Sequence, residues 1–234
     1  MVAWLVGGCT PRPRAAPVAP TLDPAAVFGA VRAREEQIAT LRARFTADSR
    51  SGEERHSTSG VLLVKKPDRF RLRMMLPFGV TVFDYLRTGE HVQVSLPLQD
   101  RVLYDPPPDD SSAFSQADLG TAFLRGPDAF PGDCTPESAG MSSVAIVCRA
   151  RSGTVLRRIV TDAPSATIRD ETTYEADAPH LVIGYDDYRP VQATSLPFHI
   201  TMQYPGRAMR VEIVIQRYEV NPGLSDDLFQ ATAR

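Results

Sequence analysis

Much of the chain alternates apolar and polar residues, a pattern typical of strands that bury one face. The clearest case is Arg69-Phe70-Arg71-Leu72-Arg73-Met74, in which basic and apolar residues strictly exchange. Because neighbouring side chains in a strand point to opposite faces, we expect Phe70, Leu72 and Met74 to be buried and the three arginines to face water. An anionic lipid surface is the alternative partner for the arginine row.

Similar stretches recur along the chain with Gly and Pro between them, and together they predict about ten strands. The other predicted strands are 61–65, 80–86, 92–96, 101–104, 144–149, 155–161, 167–174, 181–188, 197–204 and 209–218. The last two predict a hairpin across a Pro205-Gly206 turn, and the alternating apolar residues of this hairpin include Phe198, Ile200, Met202, Val211 and Ile213.

A helical pattern precedes the strands. Asp23 occupies a capping position and Pro24 the first turn, and the apolar residues that follow fall on one face as far as Leu41, where we expect the helix to end. This amphipathic helix is expected to pack against a sheet, with a membrane-surface helix as the alternative. The weaker pattern of residues 109–126 predicts a short middle helix, and residues 127–140 are interpreted as a loop.

A long series of strands with an N-terminal helix and no alternation of strands with helices predicts a mainly β protein. We expect a strongly curved sheet or partly closed barrel that the helix covers. The interior of such a barrel is either filled by side chains or open to an apolar ligand, and the periodicity does not decide between the two.

The N-terminus contains a candidate lipid anchor. Val6-Gly7-Gly8-Cys9 ends a short apolar run and resembles the lipobox of bacterial lipoproteins, in which the cysteine thiol carries a diacylglycerol. Only eight residues precede Cys9, fewer than in a full leader, so the alternative is a chance apolar terminus with a free thiol. Thr10 follows, and not the Asp that can retain lipoproteins at the inner membrane.

The chain is accordingly divided into residues 1–9 as a signal remnant, 10–23 as a tether rich in Pro and Ala, and 24–234 as one β domain. Two further cysteines, Cys134 and Cys148, flank turn residues at a spacing that fits no zinc pattern. In an oxidising compartment they are expected to form a disulfide, with two buried free thiols as the alternative.

Composition and motifs exclude several classes of function. A net charge of -2 argues against a nucleic-acid partner, and no run of about 18 apolar residues is present to form a transmembrane helix. The four histidines, His56, His91, His180 and His199, show no metal-ligand spacing. No nucleophile elbow or phosphate-binding loop occurs. We therefore expect no enzymatic activity, no metal and no cofactor.

Two stretches resemble the lipoprotein-localisation proteins LolA and LolB, and are closer to LolB, the outer-membrane acceptor. They are Pro67-Asp68-Arg69-Phe70-Arg71-Leu72 and Leu76-Pro77-Phe78-Gly79-Val80-Thr81. Residues 41–45 and Leu196-Pro197 are similar to the family's first strand and late hairpin. The resemblance implies a half-open antiparallel β-barrel with a helical lid and a hydrophobic cavity that receives lipoprotein acyl chains.

The same resemblance assigns roles to residues. The cavity lining is expected to comprise Phe70, Leu72, Met74, Val80, Val82, Phe198, Ile200, Met202, Val211 and Ile213. Phe78, in the loop Pro77-Phe78-Gly79, occupies the position of the apolar residue with which LolB delivers its client, unless it folds back onto the core. Lys66 stands in place of the arginine that holds the lid of the carrier protein, which puts a carrier-type latch in doubt.

The function that the resemblance implies is that of an outer-membrane lipoprotein facing the periplasm. It would receive lipoproteins from a periplasmic carrier protein and help to insert them into the membrane. A carrier of another lipid or hydrophobic small molecule, and a structural envelope lipoprotein with a filled core, are the alternatives.

Overall fold

A computed structural model describes residues 23–105, 130 and 132–231, which form one helix and thirteen strands. The helix α1 is Pro24–Glu36. The strands are β1 Thr40–Ser51, β2 Glu54–Lys65, β3 Arg69–Met75, β4 Thr81–Thr88, β5 His91–Leu96, β6 Arg101–Tyr104, β7 Asp133–Ser138, β8 Ser143–Arg149, β9 Val155–Asp162, β10 Thr167–Glu175, β11 Ala178–Val191, β12 Thr194–Tyr204 and β13 Met209–Val220.

All thirteen strands belong to one antiparallel sheet in the order β6-β5-β4-β3-β2-β1-β13-β12-β11-β10-β9-β8-β7. The first and last strands therefore pair at its centre, from Leu41 opposite Val220 to Ser51 opposite Met209. Turns alternate between two ends of the sheet. We call the end that carries the β2–β3 and β9–β10 turns the helix end, and the end that carries the β3–β4, β5–β6 and β12–β13 turns the far end.

The position of α1 shows that the sheet is strongly curved. Arg34 bonds to the β9–β10 turn, and the neighbouring Glu35 bonds to Lys66 in the β2–β3 turn. Six strand spacings of about 4.8 Å, roughly 30 Å, separate these turns along the sheet. Two adjacent helical residues can reach both turns only because the sheet folds around the helix, which agrees with the predicted curved β architecture.

The inner, concave face holds the main core, and its members follow the alternation expected of strands. Fully or nearly fully buried members include Leu41, Ala43, Phe45, Leu62, Val64, Phe70, Leu72, Val94, Ile146, Ile159, Leu181, Ile183, Ile200, Met202, Val211 and Ile213. From α1, Val27 and Val31 pack into the same cluster, so the helix covers the concave face as predicted.

Helix α1 ends at Glu36, five residues before the predicted end at Leu41. Leu41 instead lies in β1, opposite Val64 and Val220. The alternation of buried residues at Leu41, Ala43 and Phe45 has a period of two, so sheet pairing determines the conformation of this stretch.

The strand count is thirteen and not about ten. Of β1, only residues 41–45 were predicted, through their resemblance to the end of the family's first helix and its first strand. β7 lies within residues 127–140, which were expected to form a loop. Pro136 argues against a strand, but β7 is an edge of the sheet, where a residue without a backbone N–H is tolerated. The predicted middle helix, residues 109–126, lies outside the described residues.

The expectation that all three arginines of β3 face water is wrong for Arg71, which is 4 % exposed. Its guanidinium donates two bonds to the Asp84 carboxylate, at 2.9 and 2.7 Å, and two more to the carbonyls of Leu228 and Gln230, at 2.8 and 3.1 Å. A second apolar cluster of Leu63, Leu86, Leu224 and Phe229 lies on this outer face. The C-terminal segment thus covers the arginine that a two-residue period assigns to solvent.

A disulfide joins Cys134 in the edge strand β7 to Cys148 in β8, with an S–S distance of 2.07 Å. The two residues are direct cross-strand partners, and Cys148 is fully buried on the inner face. The bond joins β7 to β8, its one neighbour among the strands that the structure describes.

Arg71→Met should destabilise the fold by about 3–5 kcal/mol, because the buried Asp84 carboxylate and two carbonyls would lose the hydrogen bonds that the guanidinium donates. Urea unfolding followed by circular dichroism measures the loss. Arg73→Met is the matched control: Arg73 also binds Asp84, at 3.1 Å, but its side chain is 43 % exposed. Its removal should cost below about 1 kcal/mol. Equal losses in the two variants would contradict a buried role for Arg71.

Candidate functional site

A small, partly open cavity of about 50 Å³ lies at the helix end, between α1 and the inner face of the sheet. Residues from α1, the β2–β3 turn and strands of both halves of the sheet surround it. They are Val31, Arg34, Glu35, Ile38, Leu41, Lys66, Ile168, Tyr185, Tyr188, Ser195, Leu196, Pro197, Ile200 and Tyr218. The cavity is thus the place where the helix and the two halves of the sheet meet.

Three tyrosines border this cavity, Tyr185, Tyr188 and Tyr218, and the hydroxyls of the last two are bonded to the backbone. Tyr188 donates to the carbonyl of Ile168 at 2.6 Å, and Tyr218 donates to the carbonyl of Pro197 at 2.9 Å. Burial raises the pKa of Tyr218, so its hydroxyl stays protonated. The tyrosine rings and aliphatic side chains on the sheet side of the cavity favour hydrocarbon, whereas Arg34, Glu35 and Lys66 place charged groups on its helix side.

Two cationic side chains fix the C-terminal half of α1 over the cavity. Arg34 donates to the carbonyls of Ala166, at 2.8 Å, and Ser165, at 2.6 Å. Lys66 donates to the carbonyl of Glu35, and its Nζ lies 4.0 Å from the carboxylate of the same residue. We call these contacts the helix latches. Lys66 therefore holds the helix although it replaces the expected arginine.

The latch at Lys66 is partly withdrawn from water. Burial lowers the pKa of Lys66, and the nearby carboxylates of Glu35 and Glu36 oppose that shift by raising it. Burial thus disfavours the charge of the ammonium, while its bond to the Glu35 carbonyl near the end of the helix and the two carboxylates favour it.

The connection from α1 to β1 is clamped by Asn221. Its Oδ1 accepts from the backbone N–H groups of Ala39, at 2.8 Å, and Thr40, at 3.1 Å. Its Nδ2 donates to the carbonyl of Gln37 at 2.9 Å. Asn221 thus fixes the start of β1 to the end of β13. Helix α1 is attached at this point, and its latches bind the β9–β10 turn on one side and the β2–β3 turn on the other.

Most of the predicted cavity residues lie on the inner face, but they form a packed core. Phe70, Leu72, Met74, Ile200, Met202, Val211 and Ile213 are buried, and Val82 and Phe198 are partly buried against them. Val80 was assigned to the lining, but it lies in the β3–β4 turn and is 48 % exposed. Of the ten predicted residues, Ile200 alone borders the cavity at the helix end.

Sequence reasoning placed Lys66 at the family's latch position but left its role in doubt. It missed Arg34 and the tyrosines, because they come from separate elements that only the curvature brings together. It also missed a buried ion pair on the inner face between Arg157 and Glu171, whose Nε and Oε1 atoms lie 3.1 Å apart. A signal was present: Arg157 shares the phase of Ile159, the apolar side of β9. The half of the sheet that contains β9 and β10 is therefore less apolar than the other.

The loop Pro77-Phe78-Gly79 forms a tight turn at the far end. Phe78 has φ 73° and a fully exposed ring, and its neighbours Leu76 and Val80 are also exposed. A bulky residue in the left-handed region is uncommon and costs conformational energy. The alternative in which Phe78 folds back onto the core does not describe this structure.

Each histidine lies beside a carboxylate, with the closest pair being His199 and Glu212 at 2.8 Å. Within residues 23–105 and 132–231, no group of three or more His, Cys, Asp or Glu side chains is arranged to hold a metal ion. In the same ranges, no helix combines the length and apolar character needed to cross a membrane.

No family model and no curated protein matches the chain in sequence. Solved structures do match. A DUF1329 family protein from Desulfovibrio piger has a TM-score of 0.71 at 14% identity over 89% of this chain and 98% of its own. A putative outer membrane lipoprotein-sorting protein domain from Vibrio parahaemolyticus has a TM-score of 0.65 at 13% identity, covering 87% and 94%. A LolA superfamily protein from Nitrosomonas europaea has 0.66 at 9%, covering 89% and 97%.

These matches cover nearly the whole described domain and nearly the whole of each relative. They show that the chain has a LolA-like fold, as its sequence motifs predicted. At identities this low the likeness concerns the fold, and function has to be argued from the site.

Arg34→Ala should loosen α1 without unfolding the sheet, because it removes two charge-assisted bonds to the β9–β10 turn. A loss of about 1.4 kcal/mol in local stability corresponds to roughly tenfold faster amide hydrogen exchange in α1. Exchange in β1 and β13 should not change. Arg32→Ala is the matched control, since Arg32 lies on the same helix and contacts groups of that helix, the exposed Glu36 at 3.8 Å and the Phe28 ring at 5.9 Å. Equal exchange in the two variants would show that Arg34 does not latch the helix.

Proposed function

We propose that this protein is an outer-membrane lipoprotein that binds the acyl chains of other lipoproteins between α1 and the inner face of its sheet and helps to insert them into the membrane. One observation carries the proposal: a single helix, held by polar latches at its C-terminal half, covers a wide apolar sheet face. Two of the structural relatives are a putative outer membrane lipoprotein-sorting domain and a LolA superfamily protein, which supports this choice of ligand.

Burial of hydrocarbon is sufficient to drive such binding. Each buried CH₂ group contributes about 0.8 kcal/mol, and a lipoprotein carries several long chains. No covalent step is required, so the proposal assigns no catalytic residue.

The cavity at the helix end has to expand before it can take a chain. Its volume is about 50 Å³, whereas ligand pockets measure roughly 300–1,000 Å³. Movement of α1 away from the sheet, about the Asn221 clamp, would expose the apolar residues beneath it. If only the open molecules bind, the apparent affinity is the affinity of the open state multiplied by the fraction of molecules that are open. The latches set that fraction.

The membrane attachment rests on Cys9, which lies outside the described residues. We propose that Cys9 carries a diacylglycerol, that the tether of residues 10–23 links it to the β domain, and that the domain faces the periplasm. A periplasmic carrier protein would bring the client to it.

The delivery step is assigned to the Phe78 turn. The phenyl ring of Phe78 is fully exposed, so it gains nothing from packing in the folded protein. Entry into the apolar part of a bilayer would remove the ring from water. The neighbouring Leu76 and Val80 enlarge the apolar tip.

Native mass spectrometry of the protein extracted from its host membrane tests the binding and the anchor together. We expect a diacylglycerol adduct on Cys9 and noncovalently bound acyl lipid, which should be absent after delipidation. If the protein is acylated but never carries bound lipid, the binding function is rejected, and the alternative of a structural envelope lipoprotein with a filled core is supported. Bound lipid of another class, without any transfer of lipoprotein, would support the alternative carrier.

Phe78→Glu should leave thermal stability and acyl-chain binding near wild type, because the side chain contacts no core residue. Transfer of a lipoprotein to liposomes should slow at least tenfold, since burial of the phenyl group, worth roughly 2 kcal/mol, is lost and anionic lipid repels the carboxylate. Met141→Glu is the matched control: Met141 is equally exposed but lies in the β7–β8 turn at the helix end. Normal transfer by Phe78→Glu, or a large loss of stability, would reject the assignment.

A further inference from the structure

A second exposed apolar residue, Leu98, lies at the same end of the sheet as Phe78. It is 64 % exposed and occupies the short Pro97–Gln99 turn between β5 and β6. Because turns alternate between the two ends of an antiparallel meander, the β3–β4 and β5–β6 turns are neighbours at the far end. Two strand spacings, about 10 Å, separate their centres.

The register brings the two turns level with each other. Ser95 of β5 pairs with Asp84 of β4, and continuation of this antiparallel pairing places Leu98 beside Thr81. Thr81 is the first residue of β4, directly after the Phe78 turn. The Pro97–Gln99 turn also packs against β4. Leu98 and the Phe78 turn therefore project from the same part of the rim.

The two turns are built alike. Each begins with Leu-Pro, in Leu76-Pro77-Phe78-Gly79 and Leu96-Pro97-Leu98-Gln99, and each places a large apolar residue directly after the proline. Each also closes through a residue with positive φ, Gly79 at 79° and Asp100 at 50°. Neither four-residue stretch contains a charged side chain. Turn tips are ordinarily polar, so this shared composition is unexpected for both.

We propose that Leu98 is a second membrane anchor and that the Pro97–Gln99 turn enters the bilayer interface beside the Phe78 turn. This inference rests on the proposed membrane-delivery function and adds a residue and an orientation to it. Two insertion points about 10 Å apart limit the domain to rocking about the line that joins them, whereas one leaves it free to tilt in every direction.

The shape of this rim favours a bilayer over a protein partner. Leu98 and Phe78 are separate projections on two turns. A protein would need a matching pair of pockets, while a fluid bilayer interface accommodates separate apolar tips without complementary shape. Neither side chain is charged, and the exposed Asp100, where the second turn closes, would stay at the level of the lipid headgroups.

Vesicle sedimentation of the full-length Cys9→Ser protein tests the inference, because without the acyl anchor attachment depends on the turns. The vesicles contain phosphatidylethanolamine and phosphatidylglycerol. Leu98→Ser should weaken vesicle binding about tenfold, Phe78→Ser by a similar factor, and the double variant by about the product of the two. Met141→Ser, an exposed apolar residue changed at the opposite end, should bind as the parent does.

The fluorescence of Leu98→Trp, in a background that also carries Trp4→Phe, reports insertion directly. Its emission should shift to the blue on vesicle addition and be quenched by lipids brominated in the acyl chain. Loss of binding in Phe78→Ser but not in Leu98→Ser, with no quenching of the tryptophan, would overturn the second anchor and leave the proposed function intact. Wild-type binding in both single variants would remove the membrane step of the proposed function as well. A change in oligomeric state for Leu98→Ser without vesicles would assign the surface to a second copy of the chain and overturn the inference.

Discussion

The pairing of β1 with β13 is the interaction on which the rest of the structure depends. Eleven residue pairs join the two strands, from Leu41 and Val220 at the helix end to Ser51 and Met209 at the far end. The pairing joins two meanders, β1–β6 and β7–β13, into one sheet. Strands β6 and β7 then form its two edges. Because it closes only after the last strand is available, much of the sheet's order depends on contacts between distant parts of the sequence.

The curvature of this sheet brings residues from distant strands together around α1. The latches show this, because Arg34 and Glu35 are neighbours on the helix, yet their partners lie in turns six strand spacings apart. Nothing in the local pattern around Lys66 or Ser165 indicates that they meet the same helix. The sequence predicted the amphipathic helix and the curved sheet separately, and the latches follow only when both are placed in three dimensions.

The errors of sequence reasoning have the same origin. Alternation correctly assigned Phe70, Leu72 and Met74 to the core, because their burial depends only on which face of β3 points inward. It failed for Arg71, since the burial of an outward side chain depends on whether another segment covers it, and that segment is more than 150 residues away. It failed for Val80 because the predicted strand 80–86 began one residue before β4, which starts at Thr81, so Val80 belongs to the turn. β7 was missed because a strand at an edge tolerates the proline that would be excluded from the interior of a sheet.

The proposed binding and delivery sites lie at opposite ends of the sheet, and this separation constrains any mechanism. The latched helix and its cavity are at the helix end, while Phe78 and Leu98 are at the far end. A strand of twelve residues such as β1 spans roughly 40 Å, more than the thickness of a bilayer's hydrocarbon core. A client held at the helix end therefore cannot pass directly into a membrane that contacts the far end.

Two routes remain, and the inner face distinguishes them. Either the chain slides along the sheet toward the far end, or the exposed turns only orient the domain and the client leaves past the opened helix. The inner face of β3, β12 and β13 is apolar toward the far end, where Met74, Met202 and Val211 belong to the core. The inner positions of β1 and β2 turn polar toward the same end, at Ser49 and Thr58, and Arg157 and Glu171 place charge in β9 and β10. Burial of polar or charged groups beside a moving hydrocarbon chain is unfavourable. A sliding chain would therefore follow β12 and β13, against Ile213 and Met202, toward the end that carries the Phe78 turn.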